Sequence, residues 1–369
     1  MANRRIFYAT QTLGLAPLGS NSYITTHGVQ SVGVNTNFTL DQILELGKIS
    51  LYQLVEQVPE IELTASKVLD GYAPLMCLAT QGAPNASLVG RSNQRCSIAL
   101  AIFSDVQESA SGTPVSQMVC SGMYYSQSSF SFNTDGQFTE SFTAVGNNKS
   151  WLTTGFTYTP TYLTTDAPLA LSGSGGVNIR QHMIFYPIIT GVTTPGYAQE
   201  KASTLDPNGQ VAAFLTILPP DIPGISSSGT NDRTSDGQFG AHIQSITTSV
   251  NLGRDSILEL GRKEPYFRFA NFPVEVNTDI TVTSTQGDMV QALELGVTGD
   301  GNNLTDRSIR LRAREGTFIN LGQKNKLSSI NYSGGDTGGG QVSVTYSYKT
   351  FSDYTVTHPD DPSNLPYPY

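Results

Sequence analysis

The feature that most constrains this chain is an internal repeat. Residues 28–64, GVQSVGVNTNFTLDQILELGKISLYQLVEQVPEIELT, and residues 242–278, HIQSITTSVNLGRDSILELGRKEPYFRFANFPVEVNT, align without a gap at an offset of 214. Identity reaches 12 of 37 positions, including Asn37/Asn251, Asp41/Asp255, Tyr52/Tyr266, Pro59/Pro273, Thr64/Thr278 and the run Ile43–Gly47 against Ile257–Gly261. A period this long exceeds that of any solenoid, so the chain carries a duplicated domain. Each repeat is long enough to bury a core of its own. The division expected is a first domain over 1–175, a connecting segment over 176–240 and a second domain over 241–369.

Composition supports short strands and turns. The chain has 369 residues, 36 glycines and only 14% charged residues, with Ser, Thr and Asn abundant and the formers of long helices sparse. The net charge of −9 is shared between the halves and disfavours a tight nonspecific grip on phosphate. Cys77, Cys96 and Cys120 form no CxxC pair, and small buried hydrophobes are expected there. The opening MANRRIFYATQTLG has no sustained apolar run, so no secretion signal is expected. No run of eighteen apolar residues predicts a membrane-spanning helix.

Along the chain, residues 1–27 read as an irregular arm with one strand-like piece at 5–8. Strands are predicted over 29–38, 51–58 and 61–68, and a short helix near 41–46, capped by Asp41 and stopped by Gly47. Its equivalent lies near 255–260, with Asp255 and Gly261 in the same roles. Residues 81–94 read as loop, and CSIALAIF at 96–103 as a strand buried on both faces. Strands over 118–132 and 137–145 flank Asn133-Thr134-Asp135-Gly136, a hairpin signal. Apolar strands are predicted at 183–192 and 211–218. Polar excursions at 104–117 and 298–306 read as protruding loops, and the last residues, HPDDPSNLPYPY, as an exposed tail or docking arm.

Chemistry-bearing patterns are few. The four histidines are scattered, and no phosphate loop, nucleophile elbow or zinc motif appears. Neither enzymatic activity nor a cofactor or metal is expected. Glu45 and Glu259 are paired acids inside the repeat, and they read as structural carboxylates beside a glycine stop, with Leu44, Leu46, Leu258 and Leu260 on the same short element. Asp300 to Asp306 alternates oxygen-bearing residues like a calcium loop but lacks the distal bidentate glutamate, which favours a plain polar turn. In Arg307–Glu315 the strand period places Arg310, Arg312 and Arg314 on one face and Ile309, Leu311 and Ala313 on the other. The acidic balance favours an inter-subunit or outer-face charge stripe over a phosphate site.

NLGRDSILELGRKEPYFRFANFPVEV, together with GMYYSQSSFSFNTDGQFTESFTAVGNNKSW, resembles the tail tube proteins of long-tailed bacteriophages in a duplicated form. The resemblance covers roughly 28–151 and 242–351 and leaves 177–240 and both termini unexplained. It implies an all-β fold with one short helix per repeat: two tandem β-sandwich domains whose sheets join, on oligomerisation, into a β-barrel ring. Six such domains close a ring, so a duplicated chain implies trimers with pseudo-sixfold symmetry. It further implies a virion protein assembled in the bacterial host cytoplasm, with rings stacked into a tube through which DNA passes without specific binding. Its partners would be sheath, tape measure, baseplate and tail terminator proteins. The alternatives are a trimeric baseplate hub of the same fold and, from a different class, a glycan-binding surface β-sandwich.

Overall fold

A computed structural model describes residues 5–106, 112–160, 176–187, 199–200, 215–231, 240–290, 305–334 and 340–363. The protein is nearly all β. Its first repeat comprises β1 (Gln11–Pro17), β2 (Ile24–Thr25), β3 (Val29–Asn37), β4 (Leu40–Leu44), β5 (Leu51–Glu56), β6 (Glu60–Val68), α1 (Leu75–Ala79), α2 (Leu88–Ser92), β7 (Arg95–Ile102), β8 (Ser116–Asn133), β9 (Thr139–Gly146) and β10 (Asn148–Leu152). The connection holds a short parallel pair, β11 (Tyr186–Pro187) and β12 (Gln199–Glu200). The second repeat comprises β13 (His242–Asn251), β14 (Arg254–Ile257), β15 (Phe267–Ala270), β16 (Glu275–Thr283), β17 (Arg310–Arg312), β18 (Phe318–Asn320), β19 (Lys326–Ser333), β20 (Ser343–Phe351) and β21 (Thr355–Thr357).

The backbone of the molecule is one antiparallel path, β3-β6-β9-β8-β13-β16-β20-β19. Its first four strands belong to the first repeat and its last four to the second, in corresponding order. Among the described residues no sheet closes into a barrel within the chain. Period-two alternation puts Leu63, Phe142, Phe130, Ile246, Ile280 and Tyr346 on the buried face. That face packs in one hydrophobic cluster with Leu75 and Met76 of α1, Leu88 of α2, and Leu311, Ile319 and Val356 of the small sheet β17-β18-β21. The core is therefore continuous across both repeats. The opposite face carries Ser129, Ser131, Thr247, Ser249, Thr281 and Thr345, all partly exposed, with Glu62 and Asp279 exposed among them.

The repeat is real in three dimensions, but its short helices are not. The stretches around Asp41, Leu44, Glu45, Leu46 and Gly47, and around Asp255, Leu258, Glu259, Leu260 and Gly261, form β-hairpins, β4–β5 and β14–β15. Five residues between a cap and a glycine cannot offset helix nucleation without a packed face, and cross-strand pairing wins. Each residue taken as a helix signal has a hairpin role. Asp41 accepts from Gln57 at the hairpin base at 2.5 Å, and Asp255 accepts from Asn271 at 2.5 Å. Gly47 and Gly261 turn the chain with φ of 88° and 85°. Glu45 and Glu259 pair with Lys48 and Arg262 across the turn.

The alignment also needs one gap. β3 and β13 correspond at an offset of 214, with a bulge at Gln30 and at Gln244, but burial and register match β6 to β16 at 215. The second repeat has one extra residue between hairpin and strand, and a one-residue slip would turn every side chain to the wrong face. Thr64 and Thr278 are thus not equivalent, whereas Glu60 and Glu275 are.

Other expectations shift locally. The N-terminal arm contains β1, buried along Thr12–Ala16, and the 81–94 loop contains α2. Of the strands expected at 183–192 and 211–218, only Tyr186–Pro187 is strand among the described residues. All three cysteines are buried. Most of the excursion at 298–306, all but the last residues of the candidate calcium loop, the tip of the 104–117 excursion and the final residues lie outside the described residues.

Candidate assembly interface

The two repeats meet where β8 pairs with β13, from Asn133↔Ser245 to Gln127↔Asn251. Phe132 faces Ile246 and Phe130 faces Thr248 on the buried side, while Ser131 faces Thr247 and Ser129 faces Ser249 on the polar side. Beyond β13, the Leu252 N–H donates to Ser126 O at 2.9 Å, and Leu252 is 1% exposed.

The second hairpin then reaches back over the first repeat and is fastened by two arginines. Arg254 donates from Nε to Tyr125 O at 2.7 Å and from Nη2 to Ser92 O at 2.5 Å, with its guanidinium 5.0 Å from the Tyr124 ring centroid. Burial pulls the Arg254 pKa down to about 10, so it is still a cation at neutral pH. Arg268 donates to Asn147 Oδ1 at 3.2 Å and to Glu60 Oε1 at 3.1 Å.

The same surfaces recur at the two ends of the path. Among the described residues, β3 pairs only with β6, and β19 only with β20. β3 is the counterpart of β13. β19 is the counterpart of the second half of β8, and the correspondence extends to a bulge, at Ser126 in one and Ser328 in the other. Residues covered in the internal junction are uncovered at the ends: Phe38 is 61% exposed against 1% for Leu252, and Tyr332 is 52% exposed against 0% for Phe130.

The hairpin tips form a second apolar surface. Leu46, Ile49 and Leu260 are fully exposed, and Leu44 and Leu258 are about as exposed as each other, at 67% and 68%. Turn residues in a soluble chain are normally polar, so repeated leucines at two tips point to a contact.

The arginine stripe is only partly a surface. Ile309, Leu311 and Ala313 are buried, as the alternation requires, but Arg312 is also buried, donating to Gly316 O at 2.6 Å. The connecting segment covers this strand: Ile217 and Arg310 exchange both backbone hydrogen bonds at 2.9 Å. Arg310 is half-buried and Arg314 exposed, so the three do not share one solvent-facing stripe. The sequence reading missed Arg254, Arg268 and Phe351. Their signal was present, since Leu40 and Leu54 stand where the second repeat has arginines.

No family model and no curated protein sequence matches the chain. Among solved structures, a chain of the anti-feeding prophage (AFP) baseplate, 6-fold symmetrised, is similar over 41% of this chain and 97% of its own, at 10% identity and a TM-score of 0.32. A chain of the anti-feeding prophage cap, the AFP tube terminating cap, is similar over 42% of this chain and 95% of its own, at 13% identity and a TM-score of 0.31.

Proposed function

We propose that this chain is a structural, non-enzymatic subunit of a bacteriophage tail tube. It assembles head to tail when β19 of one chain pairs with β3 of the next, and three chains close a ring of six repeats that conducts DNA. The observation that carries this reading is the internal β8–β13 junction, whose two halves reappear, unpaired among the described residues, at the two ends of the strand path. An unpaired edge is a template for another strand, and ring closure removes it. Transferring the internal register places Asn331 opposite Asn35, Tyr332 opposite Val34 and Ile330 opposite Thr36. Tyr332, Ile330 and Val34 then all fall on the buried face, and the two asparagines on the polar one.

Eight strands from each of three chains would make a wide barrel, since about 16–18 strands already leave an aqueous channel. The uncovered face of hydroxyls, Glu62 and Asp279 is suited to line it, because neutral and acidic groups do not hold phosphate and the two lysines on that face, Lys326 and Lys349, are paired with Asp306 and Glu275. The apolar hairpin tips are suited to contact a neighbouring ring. Negative-stain microscopy of concentrated protein tests the proposal: rings or tubes are expected, and a chain that stays monomeric at every concentration rejects it.

A further inference from the structure

The junction inside the chain and the junction between chains share a frame but differ in chemistry. Inside the chain, Arg268 of the second hairpin rests on Asn147 and Glu60 of the first repeat. The counterpart of Arg268 in the first hairpin is Leu54, 46% exposed, and the counterpart of Arg254 is Leu40, 48% exposed. The seat changes in parallel. Glu60 corresponds to Glu275, and Asn147 to Phe351, which lie directly opposite each other on β16 and β20. Phe351 is 57% exposed, a large apolar side chain on the polar-face parity of β20, opposite to the core residues Val344, Tyr346 and Tyr348.

We infer that the first hairpin of each chain docks on the second repeat of a neighbouring copy of this chain through an apolar seat, Leu54 against Phe351. This rests on the ring reading. A long arginine meeting a short asparagine is exchanged for a short leucine meeting a long phenylalanine, so the combined reach of the pair is kept. Phe38, placed as Leu252 is, flanks the seat and loses its exposure with it. Glu275 does not need the hairpin as a counter-ion, because Lys349 holds it at 2.8 Å.

The difference has a physical reason. The internal junction forms once, as the chain folds, and can enclose arginines whose hydrogen bonds to the first repeat are made in place. A junction formed later between folded chains would have to strip water from any charge it encloses, whereas two exposed apolar side chains gain by meeting. The exchange also sorts partners. An arginine hairpin set on the Phe351 seat finds no asparagine amide and a glutamate already paired, so second hairpins stay with their own first repeats. First and second repeats then alternate around the ring.

The test uses the full-length chain with p-benzoylphenylalanine at position 54, irradiated after assembly. The expected product is a cross-linked dimer whose joined peptide contains Phe351. Alongside it, Leu54→Asp, at an exposed position, leaves the melting temperature of the monomer unchanged and raises the concentration needed for half-assembly by about tenfold or more. If rings form but position 54 cross-links elsewhere, or Leu54→Asp assembles like the parent chain, the seat is wrong and the ring reading stands. A parent chain that never assembles overturns both.

Discussion

Glu140 is fully buried, and its carboxylate caps α1 by accepting from the Leu75 N–H at 2.6 Å and the Met76 N–H at 2.8 Å. Desolvation is the larger influence and pushes its pKa up to about 7, with the two backbone donors acting the other way. The folded value lies above the unfolded value of 4.5, so the stability Glu140 contributes is fully present below that pH and is lost as pH rises through about 7. Burial moves Glu315 and Asp360 in the same direction. Glu140→Gln should flatten part of the decline in stability between pH 5 and pH 8, measured by chemical denaturation. It should also lower stability by about 1–3 kcal/mol throughout, because an amide NH2 then faces one of the two N–H donors. Nearby, Arg91 and Asp361 form a buried pair at 2.6 Å that ties α2 to the segment after β21. Arg91→Ala leaves a buried carboxylate without its cation and should cost about 3–5 kcal/mol in the same assay.

At the scale of elements, the hairpin tips lie outside the chain's own packing. Leu46, Ile49 and Leu260 touch nothing that the chain's own core needs, so replacing all three by Asp should shift its melting temperature little, as surface substitutions do. The same variant should form isolated rings that no longer stack, visible by electron microscopy. Here the limits of the sequence are also clearest. Strands such as Val29–Asn37 and Arg95–Ile102 were legible because alternation or continuous burial marks them over eight or nine residues. ILELG was misread because Asp, two leucines and Gly satisfy a helix's start and stop as well as a hairpin's base and turn, and nothing local chooses between them. The slipped register of β16 was hidden by Pro59/Pro273 and Thr64/Thr278, coincidences that only strand pairing exposes. The interface chemistry was legible in principle, from the positions at which the two repeats disagree: Leu40 against Arg254, and Leu54 against Arg268.

For the whole molecule the decisive property under the ring proposal is that one chain contains a complete example of the contact proposed between neighbours. A contact between unlike surfaces either closes or continues indefinitely as a filament, and the single hydrophobic cluster spanning both repeats holds the two ends of the path in a fixed relation. On the proposed pairing, closure would be set by folding before any chain meets another. The transferred register puts Asn35 opposite Asn331, both exposed on the polar face. Directly opposed residues in an antiparallel pair lie about 4.5–5.5 Å apart at Cα, within the span a disulfide bridges. Asn35→Cys with Asn331→Cys should form an intermolecular disulfide under mild oxidation, and the native Cys77, Cys96 and Cys120 are buried and should not compete. On a non-reducing gel the ladder should run from monomer through dimer to trimer and stop, since the third bond closes the ring. A ladder extending past trimer would mean an open helix or a larger ring, and a variant that oxidises without forming any intermolecular species would remove the β19–β3 pairing itself.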